Sequence, residues 1–168
     1  QGGGGRSRGE TLSLSLYLRH RGRAAQFQPI GADHLFTQEA QGVDLLVVAL
    51  KYGSLPGALE SIKTAVGSNT VVMSLMNGVD SEELIAAQVG AEHLLYSFIK
   101  VASHKEADGY HFDPDATLGV IYGERFAPFE SERVKAVREL FTDSGVNFRV
   151  TEHIQEEMWS KFRLNVCN

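Results

Sequence analysis

The sequence predicts an α/β fold on a mostly parallel sheet with one late antiparallel portion. Two observations carry this reading. Short apolar runs bounded by turn residues recur along the chain, as strands buried on both faces of a parallel sheet require. Between them lie segments with apolar residues at helical spacing, so strand and helix alternate. At 168 residues the chain is long enough for one domain with a real core and too short for two ordinary ones.

Gln1 to Gly9, QGGGGRSRG, reads as a flexible, basic segment. Thr11 to Leu18, TLSLSLYL, alternates polar and apolar residues with period two, a strand signal. Arg19, Arg21 and Arg23 follow it. His20 to Gln41 is irregular, punctuated by Pro29 and Gly31. Val43 to Leu50, VDLLVVAL, is apolar except for Asp44 and reads as a buried strand. Leu59, Ile62 and Val66 share one side of a helix over Leu55 to Val66. Thr70 to Met76 is a second buried strand, closed by Asn77-Gly78, and a short helix follows over Ser81 to Val89. Leu94 to Val101, LLYSFIKV, is a third such strand.

Asp108-Gly109 and Asp113-Pro114-Asp115 are turn signals. Thr117 to Tyr122 reads as another strand, followed by Gly123-Glu124. Ser131 to Ser144 is an amphipathic helix with Val134, Val137, Leu140 and Phe141 on its buried stripe. Val146 to Val150 is a short strand. From His153 onward helix propensity runs unbroken, and the helix is expected to continue past Asn168. The chain contains no internal repeat.

Composition excludes several classes. With 43% hydrophobic and 22% charged residues the chain is globular. A formal net charge of -5 argues against nucleic acid as partner. No apolar run approaches the roughly 18–20 residues of a membrane span. The one cysteine, Cys167, permits no internal disulfide, points to a cytoplasmic location and reads as a buried, inert thiol. The six histidines are scattered without metal-ligand spacing, so no metal site is expected. Gly4 to Thr11 has phosphate-loop spacing, but Glu10 stands where the lysine belongs and would repel phosphate.

Ligands of open α/β sheets bind at the carboxyl ends of the strands. The polar residues predicted there are Arg19 after the first strand, Lys51 after the second and Asn77-Gly78 after the third. The alternative is that they are ordinary turn residues. On the last helix, Lys161, Asn165 and Asn168 share a narrow stripe, with Glu157 one turn earlier and Trp159, Phe162 and Val166 on an apolar face beside it. Asparagine is a poor helix former, and two in one stripe suit a ligand that needs both donors and acceptors. A solvated stripe near a fraying end is the other reading.

Two motif sets resemble the ketopantoate reductase (2-dehydropantoate 2-reductase) family. The first is Asp44-Leu-Leu-Val-Val-Ala-Leu-Lys51 with Met76-Asn77-Gly78-Val79. The second is Trp159-Ser160-Lys161-Phe162-Arg163-Leu164-Asn165. The resemblance runs from about Asp44 to the end. It implies a Rossmann-like NADP-binding domain over residues 1–150, incomplete at its amino terminus, and the start of a helical domain at 151–168. It implies reduction of ketopantoate to pantoate with NADPH, on the route to pantothenate and coenzyme A. Lys161 would be the catalytic proton donor. Asn77 and Asn165 would bind the 2-keto acid. Arg19, Lys51, Asn77 and Gly78 would contact NADP(H), with Arg19, or Arg21 and Arg23, pairing with the 2′-phosphate. The family's opening strand and GxGxxG turn have no counterpart here, and its helical domain is absent, so the chain by itself is expected to be inactive. A homodimer is possible through Trp159, Phe162 and Val166. The alternatives are a related NAD(P)-dependent dehydrogenase for 2-keto, hydroxy or opine-type acids, and a dinucleotide-binding domain without catalysis.

Overall fold

A computed structural model describes residues 15–19, 26–30, 42–106, 109–113, 116–142 and 144–167. Nine strands and four helices are assigned among them: β1 Ser15–Arg19, β2 Gln26–Ile30, β3 Leu45–Val48, α1 Leu55–Ala65, β4 Val71–Ser74, α2 Ser81–Val89, β5 Tyr96–Lys100, β6 Ser103–Glu106, β7 Gly109–Phe112, β8 Gly119–Gly123, α3 Glu132–Thr142, β9 Phe148–Val150 and α4 Ile154–Cys167.

The centre of the fold is parallel. β3 pairs with β4 in parallel. The parallel bridge Val72–Leu94, with Leu95 N–H donating to Val72 C=O, brings the approach to β5 alongside β4. β8 and β9 are also parallel. The expected late antiparallel portion is the β5–β8 pair. A further antiparallel border lies at the amino-terminal side, where β1 pairs with both β2 and β3. The β2 strand and the β6–β7 hairpin were not foreseen. Thr11 to Leu14 and the glycine-rich start lie outside the described residues.

Helices cover both faces of the strands. Leu46, Val48 and Val72 pack with Leu55 and Ile62 of α1 and Ile85 of α2. Leu45, Val47 and Met73, which point the opposite way in the strand alternation, pack with Val134, Val137 and Phe141 of α3. This two-sided burial explains why the β3 and β4 sequences are apolar without alternation. A third cluster joins Phe98 of β5 and Ile121 of β8 to Ile154 and Met158 of α4. Val72, Met73, Leu55, Ile85, Ile121 and Val134 are wholly buried.

Local chemistry sets the element ends. Pro56 opens α1, where its missing N–H costs nothing. Gly119 opens β8 at φ +76°, and an added Cβ would meet the Asn147 carbonyl oxygen at 1.8 Å. Only glycine permits that close backbone approach. Beyond β8, the buried Glu124 carboxylate is gripped by the Arg133 guanidinium, and Ser131 Oγ donates to it at 2.6 Å. This anchors the start of α3. No described helix is long and apolar enough to cross a membrane.

Candidate functional site

The parallel run of β3, β4 and β5 aligns three carboxyl ends on one edge. Lys51 follows β3, Asn77-Gly78 follows β4, and Lys100 closes β5. Helix α4 lies over β5 and β8 and brings Lys161 to the same edge. Lys161 Nζ donates to Asn77 Oδ1 at 3.1 Å. Two residues singled out from separate parts of the sequence are therefore in direct contact.

The turn after β4 is built on a buried polar column. Ser81 Oγ donates to Glu82 Oε2 at 2.9 Å and lies 2.8 Å from Ser74 Oγ. With the Ser81 proton committed to Glu82, Ser74 donates in that contact. The Met76 N–H reaches Ser74 Oγ at 3.4 Å, and Ser97 Oγ donates to the Ser74 carbonyl at 2.8 Å. Glu82 is 1% exposed, and burial pushes its carboxyl up to about 7. Above this column Gly78 adopts φ +120°, which L side chains rarely tolerate. Asp80 precedes α2 but does not cap it. Its carboxylate instead accepts from Tyr52 Oη at 2.6 Å, tying the turn after β3 to the start of α2.

Tyr52, Asn77, Gly78, Asp80, Phe162 and Asn165 line an open cleft of about 790 Å³. That lies within the roughly 300–1,000 Å³ range of small-ligand sites. Asn165 is exposed on its wall, one helical turn beyond Lys161. Lys161 is half-buried, and its ammonium stands 5.8 Å from the centroid of the Phe98 ring. Burial, with the nearby Lys100 charge, holds it below the usual lysine range. Asp80 and Tyr52 are the cleft residues that sequence reasoning missed. Both follow strand ends, within three residues of the positions that the sequence marks.

Other predicted residues fall elsewhere. Lys51 is exposed at the correct edge. Arg19 is not brought to it: β1 runs antiparallel to β3, with Leu18 beside Leu45 and Ser15 beside Val48. The carboxyl end of β1 therefore lies at the opposite edge from Lys51. Placing Arg19 with the others assumed a parallel strand. Arg21, Arg23 and Asn168 lie outside the described residues. Glu157 does not enter the cleft as a free carboxylate, because Arg149 pairs with it and Thr151 Oγ1 donates to it at 2.6 Å. Cys167 is exposed rather than buried, because the last turns of α4 extend beyond the strands. Among the apolar residues of that helix, Trp159 is 53% and Val166 67% exposed. Among the described residues no group of three His, Cys, Asp or Glu side chains could hold a metal ion.

A parallel-rich sheet covered on both faces, with a polar cleft at its strand ends, defines the class: a Rossmann-like α/β ligand-binding fold. Residues 13–117 match the family described as Ketopantoate reductase PanE/ApbA. The chain belongs to that family. It is 25% identical over 130 residues to 2-dehydropantoate 2-reductase of Streptococcus pyogenes serotype M3, covering 77% of this chain and 41% of that protein. It is 23% identical over 156 residues to the uncharacterized oxidoreductase YkpB of Bacillus subtilis, covering 92% of this chain and 50% of that one. The crystal structure of 2-dehydropantoate 2-reductase from Geobacter metallireducens GS-15 superposes with a TM-score of 0.66 at 25% identity, covering 89% of this chain and 49% of that one. The chain thus spans about half the length of the relatives it matches.

Proposed function

We propose that this chain is the dinucleotide-binding part of an NADPH-dependent reductase that converts ketopantoate to pantoate. The observation that carries the reading is the hydrogen bond from Lys161 to Asn77, a residue that lines the strand-end cleft. Residues 1–150 form the Rossmann-like unit in this reading, and 151–168 begin the helix leading to a helical domain. The exposed Trp159 and Val166 support that division, because such a face suits further packing.

The residues present fit a nicotinamide dinucleotide. Gly78 leaves the backbone after β4 open to close approach, Asn77 offers an amide beside it, and Lys51 stands on the same edge. When bound, the dinucleotide supplies the hydride that the carbonyl carbon receives. Lys161 Nζ faces the ketone oxygen and gives it a proton as negative charge builds there. Asn77 Oδ1 holds that ammonium in place by accepting one of its three protons. Asn165, one turn along α4, offers an amide to the polar groups of the acid. Lys161 regains its proton from solvent, since the cleft is open.

The test is NADPH oxidation by the full-length protein with ketopantoate as substrate, repeated with NADH. Turnover that is abolished in Lys161→Ala supports the reading. Absence of ketopantoate-dependent oxidation, with activity instead on a hydroxy acid, would move the protein to a related dehydrogenase.

A further inference from the structure

Phe98 and Lys100 are two residues apart on β5 and so lie on the same face of the strand. That face is the one α4 covers, and Lys161 approaches the Phe98 ring from the helix. The ammonium groups of Lys100 and Lys161 stand 5.6 Å and 5.8 Å from the ring centroid. Phe98 is 2% exposed, so the ring is a fixed platform between strand and helix.

Two like charges held at one ring repel each other, and each resists burial. The repulsion is visible at Lys161, whose proton affinity is reduced by burial and then by Lys100. Among the described residues no ion pair engages either lysine. Glu157 attracts Lys100 only at longer range, because its carboxylate is already bound by Arg149 and Thr151. A pair of ammonium groups with no ion-paired carboxylate among the described residues is suited to receive an anion from outside.

We propose that Lys100 binds the carboxylate of the substrate while Lys161 faces the adjacent ketone oxygen, making this edge selective for 2-keto acids over neutral ketones. In a 2-keto acid the carboxylate and the ketone sit on neighbouring carbons, so one substrate presents both groups to the two ammonium groups gathered at the Phe98 ring. This rests on the reaction proposed above and adds a residue outside the strand-end and helix-stripe positions singled out in the sequence.

The experiment is calorimetric binding of ketopantoate, and of its neutral amide, to the full-length protein and to Lys100→Gln. The expected result is roughly tenfold to hundredfold weaker binding of the acid, the cost of losing a charged hydrogen bond. Binding of the amide stays unchanged, and Lys100→Arg restores most of the affinity for the acid. Equal weakening of acid and amide, an unaffected acid, or a loss confined to NADPH binding would overturn the proposal. Charge-dependent binding without reduction by the wild-type protein would sink the proposed reaction and leave the subsite standing. Reduction with unaltered binding in Lys100→Gln would do the reverse.

Discussion

Lys161 Nζ and Asn77 Oδ1 are joined by a 3.1 Å hydrogen bond across 84 positions of sequence. Asn77→Asp would turn that contact between an ammonium and a neutral amide into an ion pair and raise the proton affinity of Lys161. The expected outcome is a basic limb of the kcat profile displaced to higher pH and a kcat reduced about tenfold or more, because a tighter-held proton is a poorer acid. A pH–rate series on the full-length protein reads both.

The wild-type profile has its own sign. In the proposed reaction Lys161 must be protonated to act as donor, so kcat is expected to fall as pH rises through its pKa. Burial, then the charge of Lys100, place that pKa below the usual lysine value of roughly 10.4. Lys100→Gln should move the limb upward, though only part of the way, because burial remains. A limb that stays in place in Lys100→Gln would show that the two ammonium groups do not interact.

Glu82 makes stability depend on pH. Its folded carboxyl is pushed up to about 7 by burial, whereas the unfolded chain loses the proton near 4.5. Between those values the folded state holds more protons, so stability falls as pH rises through this window and then levels off. At about 1.4 kcal/mol per unit the loss is roughly 3 kcal/mol. Glu82→Gln should flatten this dependence and be more stable than wild type at pH above about 8, well past the window. Urea unfolding at acid and alkaline pH gives the comparison.

The Tyr122 hydroxyl is buried and has no hydrogen-bond partner among the described residues. Its ring packs edge-on against Phe141 at 5.9 Å. Tyr122→Phe keeps the ring and removes the orphan group. It should raise stability by about 1 kcal/mol, seen as a higher Tm with unchanged catalysis.

The elements with periodic apolar residues were the legible ones. Helix α2 spans the predicted Ser81–Val89, and the β3 and β4 strands fall inside the apolar runs expected of them. β2 and β6 were not legible because QFQPI and SHKE carry too few apolar residues to mark a face. Of the residues gathered at the candidate site, Asn77, Gly78, Lys161 and Asn165 were marked by strand-end position and helical stripe. Lys100 was hidden inside LLYSFIKV, read as one continuous strand rather than as a strand ending in a cation. The misplacement of Arg19 has a different cause. Period-two alternation reports that a segment is a strand but carries no information on the direction in which its neighbour runs, and direction decides which edge the strand end reaches.

The separation of Asn77 from Lys161 also bears on how the protein comes into being. The turn that carries Asn77 and the strand that ends in Lys100 precede Lys161 in synthesis, which emerges on the last described helix. Contacts between distant positions form late, because the intervening chain must first be ordered. In the proposed reaction, the proton donor then arrives after the strands it works with. On that proposal, a loosening of α4 would remove Lys161 from Asn77 while the strands beneath it stayed intact.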